Sequence, residues 1–197
     1  MSDSTSDDLV LIERSKNGDR TAFDDLVTKY ERRAYQFAFR LTQSHDQASD
    51  IVADAFVRVY NALANFKAQA AFTTWLYRII TNCYLDSKKR DKSKYHVSID
   101  QTVSVEGGSE FERQFASDQA PDEDFERSER ERLIQSALTK LPDYQKAMLI
   151  MYHVDSLSYE DIAETLDLPI GTVKSRLNRA RVSLRELLQR DVELFQL

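Results

Sequence analysis

The chain has 197 residues, 42% hydrophobic and 30% charged, with a formal net charge of −6, one cysteine, four glycines and three prolines. That balance excludes a disordered chain and an internal disulfide, and the scarcity of breakers points to helices. No apolar run reaches the roughly 18–20 residues of a membrane span and "MSDSTSDD" is unlike a signal peptide, so a cytoplasmic protein is expected.

Leu9 and Ile12 mark the inner side of a short first helix that Gly18 closes, and Asp19 or Thr21 can cap the next. Phe23, Leu26, Val27, Tyr30, Ala34, Phe37 and Leu41 then recur at helical spacing. From Asp46 to Leu63, Ile51, Val52, Ala55, Phe56, Val59 and Leu63 share one face. A further helix is expected over about Thr73 to Leu85, with Leu76, Ile79, Ile80 and Cys83 inward. Aromatic, basic and amide side chains interleave here. Phe66, Phe72, Trp75, Tyr77 and Tyr84 sit beside Arg78, Asn82, Lys88, Lys89 and Arg90, which suits stacking on unpaired bases and contact with phosphates. The competing reading keeps Trp75, Leu76 and Ile79 in the core. Cys83 reads as a small buried hydrophobe rather than a nucleophile.

From Asp100 to Arg132 there are eleven acidic residues against four Arg, an expected linker over 96–125. It reads either as a solvated loop or as an acidic strand that occupies a nucleic-acid channel on a partner. Helices resume near Asp122 to Leu141, stop before Pro142, and continue over about Tyr144–His153, Tyr159–Leu166 and Ile170–Arg190. No segment alternates with period two. The expected fold is all-α: two small helical domains, 1–95 and 126–197, joined by the acidic linker.

"LSYEDIAETLDLPIGTVKSRLNRARVSL" reads as a helix-turn-helix. Ser158 and Asp161 stand at capping-box spacing, Asp167-Leu168-Pro169 makes the turn, and Ala163 allows a close crossing. On the last helix Val173, Leu177, Ala180, Leu184 and Leu187 form the inner stripe. Opposite lie Thr172, Ser175, Asn178, Arg179 and Val182, flanked by Lys174, Arg176, Arg181 and Arg185, with no acidic residue from Pro169 to Arg185. Arg can bridge guanine O6 and N7, and Asn adenine N6 and N7, so this face suits a major groove. One such helix gives modest affinity and needs a second DNA-binding element.

Three motifs, "SDIVADAFVRVYNAL", "FTTWLYRIITN" and "GTVKSRLNRAR", occur in the order found in bacterial sigma factors of the extracytoplasmic-function type, and the chain resembles that family from about Leu9 to Leu188. The resemblance implies a subunit that binds core RNA polymerase, recognises −10 and −35 promoter elements, assists melting and serves a dedicated, stress-responsive regulon. It implies contact with the β′ clamp helices through Asp50, Asp54, Phe56, Arg58 and Tyr60, and a base-capturing −10 loop of Lys67, Ala68, Gln69, Ala70, Ala71 and Phe72. Trp75, Arg78, Asn82, Lys88 and Arg90 would then support strand opening. Thr172, Lys174, Ser175, Arg176, Asn178 and Arg179 would meet the −35 element, with the β flap docking on the same domain and an anti-sigma factor as a further partner. Two positions depart from the family: Ala68 stands where Gly is frequent, and Ala53-Asp54 where Gln-Glu is common.

Two other readings remain at this stage. A dimeric helix-turn-helix regulator would need no polymerase, and a nuclease would use the Asp46, Asp50, Asp54 ladder. No glycine-rich nucleotide loop, catalytic triad or metal set is visible, so neither an enzyme nor a cofactor is expected; His45, His96 and His153 are scattered.

Overall fold

The computed structural model describes residues 3–68, 71–97 and 121–195, and these residues form helices and short turns with no strand. The first half holds α1 (Asp3–Lys16), α2 (Arg20–Thr42), α3 (His45–Ala62), a 3₁₀ turn (Leu63–Asn65) and α4 (Phe72–Val97). The second holds α5 (Pro121–Lys140), α6 (Asp143–His153), α7 (Tyr159–Leu166) and α8 (Ile170–Phe195). Most of the expected linker lies outside the described residues, but α5 already begins at Pro121, inside its expected C-terminal end.

Local chemistry sets the boundaries. Gly18 takes φ +90°, the left-handed turn that ends α1. The Asp19 carboxylate caps α2 by accepting from the backbone of Thr21 and Ala22 and from the Thr21 hydroxyl. Those bonds, together with Arg14, hold its carboxyl at about 2. Ser44 caps α3. Inside, Leu26, Ala34, Phe37 and Leu41 of α2 meet Ile51, Ala55, Phe56 and Val59 of α3 and Leu76, Tyr77, Ile80 and Cys83 of α4. Each large side chain so buried contributes about 1.5–3 kcal/mol against the cost of ordering the chain. Helix α4 runs past the expected end at Leu85. The apolar stripe fades there, but Asp86 to Lys94 contains no Gly or Pro, and the helix propagates through it.

In the second half Leu138, Leu141, Met148, Met151, Ile162, Val173, Leu177 and Ala180 close a smaller core under the helix-turn-helix. The two halves also touch, with α4 against α6 and α7 and α2 against α6.

Lys146 of α6 is buried in this region. Burial pushes its ammonium from the usual 10.5 down to about 8, with Lys88 adding to the depression and Asp143 opposing it. Between those values the unfolded chain holds a proton that the folded chain has released, so this group makes stability rise with pH across that window. Lys146→Met is therefore expected to stabilise by about 2–3 kcal/mol at pH 7. The gain should shrink steadily as chemical denaturation is repeated toward pH 10, and a constant gain would contradict the assignment.

Candidate nucleic-acid interfaces

The helix-turn-helix forms as its residues dictate. Ser158 accepts from the Asp161 amide at 3.0 Å while the Asp161 carboxylate takes the Ser158 amide at 3.1 Å, a complete capping box. Asp167 adopts φ 54°, and its amide and that of Leu168 return to α7 carbonyls, which turns the chain within three residues. The Pro169 carbonyl accepts the amides of Thr172 and Val173 in the first turn of α8. Val173, Leu177 and Ala180 are buried, so Lys174, Ser175, Arg176, Asn178 and Arg179 all stand exposed on the far side, with Thr172 half-buried. Aromatic rings steady several of the cations. Lys174 lies 5.7 Å over Tyr159, Arg176 5.1 Å over Tyr144 and Arg181 4.7 Å over Tyr152. Arg181 also donates to His153 Nε2 at 3.0 Å, and burial with this neighbouring charge lowers the His153 pKa. Beside them Leu149, Leu184, Leu188 and Arg185 complete an open groove of about 700 Å³.

The second surface lies on the first half. Asn65, Phe66, Lys67, Ala68, Thr74, Trp75 and Arg78 line a pocket of about 190 Å³, and Glu164 of α7 supplies the remaining wall. Lys16 donates to the Phe66 carbonyl at 2.8 Å, pinning the loop to α1. Phe66 and Trp75 pack at 4.7 Å between ring centroids, with Trp75 half-buried and thus serving both core and surface. Phe72 is 3% exposed and packs under that pair and against Tyr30, so its ring supports the loop from inside. Ala71, Asn82 and Arg90 are exposed, while Arg78 and Lys88 are half-buried; Asn82 is not part of the pocket wall. Gln69 and Ala70 lie outside the described residues.

Ala68 carries φ +53°, the left-handed region that glycine adopts without penalty. An alanine there costs about 1–2 kcal/mol, partly offset by glycine's greater freedom when unfolded. Ala68→Gly is accordingly expected to raise the thermal midpoint by about 2 °C. A lowered midpoint in a melting curve would contradict the strained geometry.

On α3, Asp50 and Tyr60 are exposed, and Tyr60 packs edge-on against Phe23 at 4.9 Å. Arg58 bridges Asp54 at 3.0 Å and Asp86 at 3.2 Å, tying α3 to α4. Phe56, by contrast, is 9% exposed and packs in the core. The apolar side chain that does protrude is Val57, 60% exposed, which the sequence reading missed. Its signal was present: Asp50, Ala53, Val57 and Tyr60 follow helical spacing opposite the buried stripe. Cys83 is free and buried, and burial pushes its thiol up to about 12. Among the described residues no three His, Cys, Asp or Glu side chains are grouped to hold a metal ion, and no helix is long and apolar enough to cross a membrane.

Comparisons with known proteins match both halves. The family model for Sigma-70 region 2 covers residues 26–94, and that for Sigma-70 region 4 covers 131–184. The chain is 34% identical to the ECF RNA polymerase sigma factor SigW of Bacillus subtilis, over 90% of this chain and 95% of that one. It is 32% identical to the ECF RNA polymerase sigma-E factor of Escherichia coli K12, over 92% and 94%. Among solved structures, the sigma factor RpoE in complex with the anti-sigma factor NepR from Bartonella quintana aligns with a TM-score of 0.65 at 26% identity. It covers 85% of this chain and 96% of that one. CnrH in complex with the cytosolic domain of CnrY aligns at 0.64 and 25%, over 94% and 99%. With both regions matched in order and relatives of this identity aligned along nearly their whole length, the chain belongs to the extracytoplasmic-function sigma factors of the sigma-70 family.

Proposed function

We propose that this sigma factor directs RNA polymerase to promoters by holding two separate DNA readers in one chain, and that it acts by binding rather than by catalysing a reaction. The observation that carries this reading is the segregation of exposed cations. Lys174, Arg176 and Arg179 project from α8, while Lys67 and Arg90, with the half-buried Arg78 between them, lie around the loop and helix α4, in a chain of net negative charge. The α8 face suits duplex bases of the −35 element, with Ser175 and Thr172 toward phosphates and Asn178 toward a base edge. The pocket at Lys67, Ala68 and Trp75 suits a −10 base turned out of the stack, at a cost of a few kcal/mol. Asp50, Val57 and Tyr60 of α3 would dock on the polymerase clamp helices. The groove of Leu149, Leu184 and Leu188, edged by Arg181 and Arg185, would take the β flap. An anti-sigma partner is supported by the RpoE–NepR alignment. Linking two modest readers on one enzyme raises effective affinity without new contacts.

The test is run-off transcription with purified core polymerase on templates carrying spaced −10 and −35 elements. Specific initiation should require this chain. A duplex footprint equally strong without polymerase, and no transcript with it, would favour a stand-alone regulator.

A further inference from the structure

Helix α1 is assembled against the usual pattern of a core helix. Its inward residues at i, i+4 and i+8 are Asp8, Ile12 and Lys16, so one apolar side chain stands between two charged ones. Asp8 is 6% exposed and Ile12 1%, whereas Leu9, expected beside Ile12, is 42% exposed and Val10 57%. Apolar groups left in water and a carboxylate taken out of it contribute little to stability. What the two charged residues do supply is fixed geometry, and both reach the frame of the pocket at Lys67, Ala68 and Trp75.

The first route runs through the backbone. Phe66 ends the 3₁₀ turn, and its carbonyl accepts from Lys16 Nζ at 2.8 Å across 50 positions of sequence. Glu13 Oε1 lies 2.9 Å from the same ammonium and orients it. The second route runs through side chains. Asp8 accepts from Lys29 at 2.7 Å and from the Tyr30 hydroxyl at 2.5 Å. The Tyr30 ring lies 4.9 Å from that of Phe72, and Phe72 lies 5.8 Å from Trp75 and 6.1 Å from Phe66 between centroids. Phe66 and Trp75 are themselves walls of the pocket, whereas Asp8 and Lys16 are not among its lining residues. The C-terminal end of α1 is anchored in turn, because Arg14 pairs with the Asp19 cap at 2.7 Å.

We propose that Asp8 and Lys16 are positioning residues for base capture: α1 braces the loop and the Phe66–Phe72–Trp75 cluster in the shape that receives a −10 base. The proposal rests on the assignment of this pocket to the −10 element. A base that leaves the duplex gives up its stacking, and only a pocket formed beforehand recovers that loss without also ordering a loop. A pocket formed in only part of the population weakens the apparent affinity by that fraction. The positive φ of Ala68, two residues past the Phe66 carbonyl, fits the same role. Such a conformation persists only where its surroundings over-determine it.

Trp75 is the chain's one tryptophan, so its emission reports on the cluster directly. In the free full chain, Lys16→Met should move that emission to longer wavelength, and Lys16→Arg, which keeps a donor, should return most of it. Tyr30→Phe, which keeps the ring against Phe72 and removes the bond to Asp8, should shift it the same way. The functional readout uses holoenzyme reconstituted with core polymerase. Its promoter carries a fluorescent adenine analogue, bright when unstacked, at successive positions of the −10 non-template strand. Lys16→Met should lower the unstacking equilibrium about tenfold, as expected for one lost hydrogen bond from a charged donor. Core binding and −35 duplex affinity should stay unchanged. Ile12→Val removes one methylene between the two residues and lowers the thermal midpoint, but it should leave unstacking as it was. Trp75 emission or base unstacking untouched by Lys16→Met, or unstacking lost equally in Ile12→Val, would overturn the brace and leave the pocket reading standing. An unsubstituted holoenzyme that initiates with no rise at any −10 position would remove the pocket reading, and the brace with it.

Discussion

Replacing Arg176 and Arg179 together with alanine is expected to lower promoter-directed transcription by a factor on the order of 100 or more, while binding to core polymerase stays intact. Both side chains are exposed on α8, while the buried Val173, Leu177 and Ala180 face the other way, so truncation removes no core packing. Each well-placed base contact carries about 1–3 kcal/mol of discrimination, and two such losses multiply. Arg176 also lies over Tyr144, so its position is partly set by that ring before DNA arrives. Tyr144→Leu should therefore reproduce a fraction of the Arg176→Ala effect. Filter binding on −35 duplex and pull-down with polymerase separate the two roles. Equal loss in both assays would contradict the division of labour between α8 and α3.

The second large effect divides two neighbouring residues of α3. Phe56→Ala is expected to destabilise the first half by about 3–5 kcal/mol, because the ring is in the core beside Ile51, Val59 and Ile80. Its polymerase binding would fail through unfolding. Val57→Asp should leave the helical circular dichroism and thermal midpoint nearly unchanged, since the side chain is already in water. Polymerase affinity should nonetheless drop roughly thirtyfold or more if Val57 is a docking anchor, the loss typical of an interface hot spot. A Val57→Asp variant that binds polymerase normally would move the docking face elsewhere on the domain.

These neighbours illustrate what the sequence discloses and what it leaves out. Caps and turns were legible because they are local: Gly18, Asp19, the Ser158–Asp161 box and the Asp167-Leu168-Pro169 turn each act within a few residues. The buried stripes of α2, α3 and α8 followed from spacing. That Phe56 packs inward while Val57 protrudes was harder to read, because adjacent helix positions differ by about 100° and identity as an aromatic does not say which side of the boundary a residue falls on. The glycine departure at position 68 was visible, but its meaning required the backbone angle. The docking of the two halves was not legible at all. Arg40 and Asp155 are 115 residues apart, Tyr77 and Asp155 78, and Tyr84 and Asp143 59, and no periodicity links such pairs. Of the acidic side chains at that contact, Asp161 and Asp167 read from sequence as parts of the capping box and the turn, and nothing in the sequence marked Asp143 or Asp155.

On the proposed function, the two DNA readers work only when polymerase fixes the distance between them. The most direct measurement is transcription by the reconstituted holoenzyme on templates whose −10 and −35 elements are moved apart by about 5 base pairs, half a helical turn, and then by a full turn. Initiation should collapse with the half-turn insertion, which places α8 and the α4 pocket on opposite sides of the duplex. Transcription that is indifferent to spacing, with both elements still required, would contradict the claim.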